Sequence, residues 1–165
     1  MRDLQQYARE CLKELDAIGI EYGNITKFVI NTRAKKRWGM CEPVPGGFQI
    51  EISSVLLDER NDEAGLKNTI IHEILHTCKG CQNHQEKWKR VAQKVNAAYG
   101  YNIKRTSSTL EKGVLEETMP PISANYVVEC KCCGYTYTRE KKSKLITNME
   151  RYRCGVCGGR LFLRK

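Results

Sequence analysis

Leu4, Ala8, Cys11, Leu12, Leu15 and Ile18 recur at spacings of three and four. That period puts side chains on one stripe of a helix and predicts one over residues 3–18. Asp3 with Gln6 reads as its capping box and Gly19 as its stop. The period then changes. Residues 25–32 predict a strand in which Phe28-Val29-Ile30 is too uniformly apolar for a solvent face. Pro43-Val44-Pro45-Gly46-Gly47 marks a turn, and Phe48-Gln49-Ile50-Glu51-Ile52 alternates as a strand with one apolar face. A sheet of at least three strands is therefore expected before the next helix. That helix is predicted over residues 62–79, with Leu66, Ile70, Ile74 and Leu75 inward and Gly80 as its stop. Asp58, Glu59, Asp62 and Glu63 cluster near its start, where the macrodipole favours acids. A further helix is predicted from Asn83, capped through Glu86, with Trp88, Val91, Ala92, Val95 and Tyr99 as its buried stripe.

Beyond it the periodicity fades. Residues 106–125 are marked by Ser, Thr and Pro and read as a linker, with a short helix near 110–117. The last forty residues offer only short strand-like pieces, such as Tyr135–Thr138 and Arg160–Leu163. The pattern thus predicts an α+β domain over 1–105, a linker over 106–125 and a small β module over 126–165.

Composition and charge sharpen this outline. The 165 residues are 41% hydrophobic and 28% charged. No apolar run approaches the roughly 18 residues that a membrane span needs, and Met1–Gln6 lacks the apolar core of a secretory signal. Nine cysteines without such a signal imply a reducing, cytoplasmic setting, where cysteine clusters serve as metal ligands rather than disulfides. The net charge is +9, and residues 126–165 carry ten Lys or Arg against three Glu. A basic module of this kind suits a polyanion, nucleic acid first. Lys141, Lys142, Lys144, Arg151 and Arg153 are the candidate phosphate contacts. Tyr126, Tyr135, Tyr137, Tyr152 and Phe162 are interleaved with them, either to stack on unpaired bases, which favours single-stranded DNA, or to form the module's own core. The run Arg33–Arg37 is a solvated turn or a second basic contact.

The candidate chemistry lies in His72-Glu73-Ile74-Leu75-His76 and in His84, which together hold all three histidines of the chain. On a helix His72 and His76 point the same way one turn apart, as two nitrogen ligands for one metal require. Glu73 reaches the open position as a general base without ligating. His84, in the first turn of the next helix, is the candidate third ligand, or a polar first-turn residue. Cys78-Lys79-Gly80-Cys81 between them offers a redox dithiol or alternative thiolate ligands, but it falls around the helix end and the three histidines already complete a ligand set. Cys11 and Cys41 read as buried small apolar residues. Cys130-x-x-Cys133 and Cys154-x-x-Cys157, twenty residues apart, form a four-cysteine zinc signal of the ribbon type, with Cys132 spare. Two zinc ions are expected, one catalytic and one structural. Phe48–Ile52 is the candidate strand for holding an extended peptide, and Tyr99 and Tyr101 are candidate oxyanion stabilisers. The sequence assigns no oligomeric state.

With these residues in hand, the chain resembles the SprT-like family, which includes the Spartan-type DNA–protein crosslink proteases. The resemblance covers residues 3–105 and, in the same order, the ribbon of 126–165. The family's Gly-His-Gly-x-x-Phe stands here as Asn83-His84-Gln85-Glu86-Lys87-Trp88, with the histidine and the aromatic kept and both glycines replaced. Trp38-Gly39-Met40-Cys41 is similar to the Trp-Gly-x-Cys of related bacterial zincin-like metallopeptidases. The resemblance implies a minimal zincin: an N-terminal helix, a small, mostly antiparallel sheet and two metal-bearing helices. It also implies zinc-dependent cleavage of proteins bound or crosslinked to DNA.

Overall fold

The computed structural model describes residues 1–34, 37–120 and 124–164. The chain forms two units, Met1–Pro120 and Pro121–Lys165, and is mixed α+β as its patterning predicts.

In the first unit α1 (Leu4–Ala17) begins at Asp3, whose carboxylate accepts from the Gln5 N–H at 2.8 Å. Gln6 turns instead to Glu10, so the expected box is left open. Leu4, Ala8, Cys11 and Leu15 form the buried stripe. The strands β1 (Ile25–Asn31), β2 (Gly39–Val44) and β3 (Gly47–Ser53) follow in the order β1-β3-β2. The β2–β3 hairpin returns the chain between its two predecessors, so β3 runs antiparallel to β2 but parallel to β1. One of the two pairings is therefore parallel, where the family resemblance implied a mostly antiparallel sheet. Ile50 and Ile52 of β3 are fully buried, as their alternation predicts. Ile30 of the outer strand β1 stays 41% exposed, because nothing among the described residues covers that end of its uniformly apolar run.

Helix α2 (Glu63–Leu75) starts at Asp62, whose side chain accepts from the Ala64 N–H at 2.9 Å. It is the core of the unit, with Leu66, Ile70, Ile71, Ile74 and Leu75 fully buried. It ends four residues short of expectation: His76 is its C-cap, and the chain turns back through Gly80 at φ +78°. Helix α3 (Glu86–Tyr99) starts three residues later than expected, and Trp88, Ala92 and Val95 are its buried residues.

The largest departure from the sequence pattern follows α3. Residues expected as linker pack onto the first unit up to Pro120. Val114 joins the core, and the Asn61 side chain accepts from the Leu115 N–H (2.8 Å) and the Thr118 hydroxyl (3.0 Å). The Asp62 N–H donates to the Gly113 carbonyl at 2.9 Å. Gly65 of α2 lets this segment approach: a Cβ there would stand 2.0 Å from the Lys112 carbonyl. A single core side chain, hydrogen bonds of backbone and side chains, and one glycine contact hold the segment, and none of these leaves a periodic signature.

The second unit is an antiparallel sheet of β4 (Tyr126–Cys130), β5 (Thr136–Arg139) and β6 (Leu161–Leu163) in the order β5-β4-β6. A four-residue helix α4 (Lys144–Thr147) lies between β5 and β6. Val128, Cys130 and Cys154 are its buried residues. Among the described residues no helix is long and apolar enough to cross a membrane.

Candidate metal centre

His72 lies in the last turn of α2 and His76 caps it, while His84 sits in the loop just before α3 rather than in its first turn. The early end of α2 makes this possible, since the Thr77–Asn83 turn folds His84 back over the helix end. The three Nε2 atoms converge, with His72–His76 at 3.3 Å, His76–His84 at 3.1 Å and His84–His72 at 3.0 Å. The opposite ring edges fix the tautomers. His72 Nδ1 lies 3.1 Å from the Lys104 carbonyl and His76 Nδ1 lies 2.9 Å from the Cys81 carbonyl. A carbonyl only accepts, so each Nδ1 carries the proton and each Nε2 presents a lone pair to the centre. Three nitrogens at 2.0–2.1 Å from one tetrahedral zinc would lie roughly 3.3 Å apart. The donor set therefore fits a zinc ion. Burial holds His72 neutral, with its pKa lowered to about 3, and also lowers that of His84. Trp88 underlies the group at 1% exposure, with ring centroids 4.8, 5.7 and 4.7 Å from His72, His76 and His84.

Glu73 is 7% exposed. Burial pushes its pKa up to about 7, against the opposing influence of Lys112, Arg37 and the Cys41 backbone amide. Gly39 of β2 makes room for it, since a Cβ there would meet Glu73 Oε1 at 2.7 Å. Two clefts meet at this carboxylate. One, of about 450 Å³, is lined by Met40, Pro43, Phe48, Gln82 and the three histidines. The other, of about 360 Å³, is lined by Arg37, Trp38, Lys104, Arg105 and Lys112. Both include Gly39, His72 and Glu73.

Several expectations about neighbouring residues change. The candidate peptide-binding strand, Phe48–Ile52, is the interior strand β3, paired on both sides; the edge strand beside Glu73 is β2. Tyr99 and Tyr101 donate their hydroxyls to Glu14 of α1, at 2.7 Å to its carbonyl and 2.6 Å to its carboxylate, and line neither cleft. Cys78 and Cys81 are buried and stand outside the ligand set; burial pushes the Cys78 thiol up to about 11. Cys81 acts instead through its carbonyl on His76. Cys11 is buried as expected, whereas Cys41 is half-buried. Lys112 was hidden in the stretch without periodicity; it is 7% exposed and donates to the Thr69 hydroxyl at 2.6 Å. Burial lowers its pKa to about 8.

In the second unit Cys130, Cys133, Cys154 and Cys157 bring their sulfurs within 4.8 Å of one another, with Cys130–Cys157 at 3.5 Å and Cys133–Cys154 at 3.6 Å. Each pair is followed by a glycine in the left-handed region, Gly134 at φ +69° and Gly158 at φ +72°, which closes the turn around the ion's position. Four thiolates in two such turns fit a structural zinc. Cys132 is exposed and outside the set. Tyr137 is committed to the cluster, its hydroxyl 3.4 Å from Cys154 Sγ, whereas Tyr135 and Tyr152 are exposed. Lys141, Lys142, Lys144, Arg151 and Arg153 are all exposed.

An α+β domain with three converged imidazoles beside a buried carboxylate, joined to a four-cysteine ribbon, has the make-up of a metal-binding protein with two distinct candidate centres. Residues 4–107 match the SprT-like family model, and the chain belongs to that family. It is 31% identical over 125 residues to the "Protein SprT-like" of Staphylococcus carnosus, covering 73% of this chain and 71% of that one. It is 26% identical over 157 residues to the protein of the same name from Oceanobacillus iheyensis, covering 92% and 93%. The "Protein SprT" of Vibrio atlanticus is 26% identical over 115 residues, covering 66% and 62%.

Proposed function

We propose that the chain is a zinc-dependent endopeptidase acting on proteins bound or crosslinked to nucleic acid. The observation that carries the proposal is the buried Glu73 set next to three imidazoles whose Nε2 atoms converge. Metal binding alone has no use for a carboxylate held there at the cost of its burial. His72, His76 and His84 would hold the zinc, which would supply Lewis acidity, lowering the pKa of a water toward about 7 and polarising a carbonyl. Glu73 takes the proton of the attacking water on its carboxylate and returns it to the leaving amide nitrogen. The carbonyls of Lys104 and Cys81 hold the His72 and His76 rings in the tautomer that leaves Nε2 free. The outer edge of β2, which pairs with no strand among the described residues, lies beside Glu73, and an extended peptide pairs there by strand addition. Lys141, Lys142, Lys144, Arg151 and Arg153 are exposed, and we assign them to the phosphates of single-stranded nucleic acid.

Glu73→Gln tests the reading. The variant keeps its zinc by elemental analysis and loses hydrolysis of a basic DNA-binding protein by about 10²-fold or more, as removal of a general base requires. Undiminished hydrolysis removes Glu73 from the mechanism, and loss of zinc makes it a ligand. The second reading, a non-proteolytic nucleic-acid-binding protein on a zincin scaffold, draws on the basic ribbon. It predicts that the native chain and the variant are equally inert.

A further inference from the structure

The basic cleft beside Glu73 holds a feature that general-base hydrolysis does not need. Lys112 is 7% exposed and, among the described residues, forms no ion pair. Its ammonium has three donors, and the one hydrogen bond it makes goes to the neutral Thr69 hydroxyl. An ammonium taken out of water with only the unpaired influence of Glu73 and Glu111 to offset its burial is costly and is normally found only where something else requires it. Its neighbours in the cleft differ. Lys104 is paired with Glu111, and Arg37 with Glu51 at 3.0 Å. Arg105 is exposed and has no acidic partner among the described residues. After internal pairing, two cations face the single carboxylate of Glu73, and the cleft keeps positive charge.

We infer that this cleft is a specificity pocket for an acidic side chain of the peptide substrate, close to the scissile bond on one side. The inference rests on the peptidase reading and deepens it. The basic cleft shares Gly39, His72 and Glu73 with the apolar cleft along β2, so a chain crossing Glu73 passes from Met40, Pro43 and Phe48 into the basic side. An Asp or Glu carrying its carboxylate to Lys112 and Arg105 completes the pairing that the protein leaves open. A nucleic-acid strand fits less well. The cleft, at about 360 Å³, admits one anionic group rather than a run of phosphates.

The test uses the full, zinc-loaded chain carrying Glu73→Gln. Short fluorescein-labelled peptides have glutamate, glutamine or lysine walked through an otherwise neutral sequence, and binding is read by anisotropy. One glutamate position should bind about tenfold tighter than glutamine, the worth of a charged hydrogen bond at a desolvated site. Adding Lys112→Met should abolish that preference. Adding Arg105→Ala, at an exposed position that leaves the fold undisturbed, should reduce it. Glutamate binding no tighter than glutamine at every position overturns the inference, as does a preference that survives both substitutions. Lys112-dependent displacement of the glutamate peptide by a single-stranded oligonucleotide also overturns it, reassigning the cleft to phosphate. Hydrolysis of the same peptides by the native chain separates the two claims. Cleavage without preference for glutamate sinks the pocket and leaves the peptidase, and glutamate-selective binding without cleavage sinks the peptidase and leaves an anion site.

Discussion

At the scale of single residues, Lys112 couples stability to pH in a direction that can be worked out. Its pKa in the folded chain, about 8, lies below the ordinary 10.5 because burial disfavours the ammonium. Below about 8 both folded and unfolded chains hold the proton, and the folded state bears the whole cost, about 3 kcal/mol for that gap. Above 10.5 neither holds it and the cost vanishes; in between, the unfolded chain binds more protons and stability rises with pH. Lys112→Met keeps the aliphatic stem and should therefore resist urea better than the parent at pH 7. The advantage should shrink steadily toward pH 10. A variant less stable than its parent at pH 7 would show that Thr69 and the cleft already compensate the charge. The contrast with the histidines is instructive about what a sequence reveals. His72, Glu73 and His76 are legible because helical geometry turns their spacing directly into a shared face. Lys112 is not, because its place follows from an approach over Gly65 that no period records.

The secondary-structure elements divide in the same way. The stripes of α1, α2 and α3 and the alternation of β3 were legible, since each buries most of the residues its period selects, with Leu12, Ile18 and Val91 only partly buried and Tyr99 of α3 exposed. Which strand lies at the sheet edge was not, because strand order depends on where the β2–β3 hairpin inserts, and that is a property of the whole sheet. The segment after α3 is the clearest miss. Its turns carry few apolar side chains, yet Val114, the Asn61 bonds and the Asp62–Gly113 contact tie it to the start of α2. A chain ending at Arg105, the boundary that patterning suggests, leaves Asn61 and the apolar surface under Val114 uncovered. It should melt at least several degrees below one ending at Pro120, since each lost buried bond costs on the order of 1 kcal/mol. Equal melting temperatures would return residues 106–120 to the status of a tether.

For the whole molecule, two donor sets of different chemistry predict two metals of different lability. The three-imidazole centre keeps a position open to solvent, whereas four thiolates enclose theirs. Graded chelation should therefore strip one zinc per chain first, with loss of hydrolysis, while the ribbon ion stays. Simultaneous release of both would contradict the assignment. A chain ending at Pro120 should keep the labile zinc and lose most of its affinity for single-stranded DNA, and the full chain's affinity should fall steeply with salt.

The aromatic underlay of the centre has an optical consequence. The protein has two tryptophans, and each borders a different part of the working surface. Trp88 packs against all three imidazoles, and Trp38 lines the basic cleft. On the proposed function, the intrinsic emission of the unlabelled chain would carry two signals, one sensitive to an ion at the histidines and the other to a ligand beside Lys112. Replacing either indole by phenylalanine isolates the other, so that on the proposed function the molecule would be its own gauge of metal and substrate occupancy.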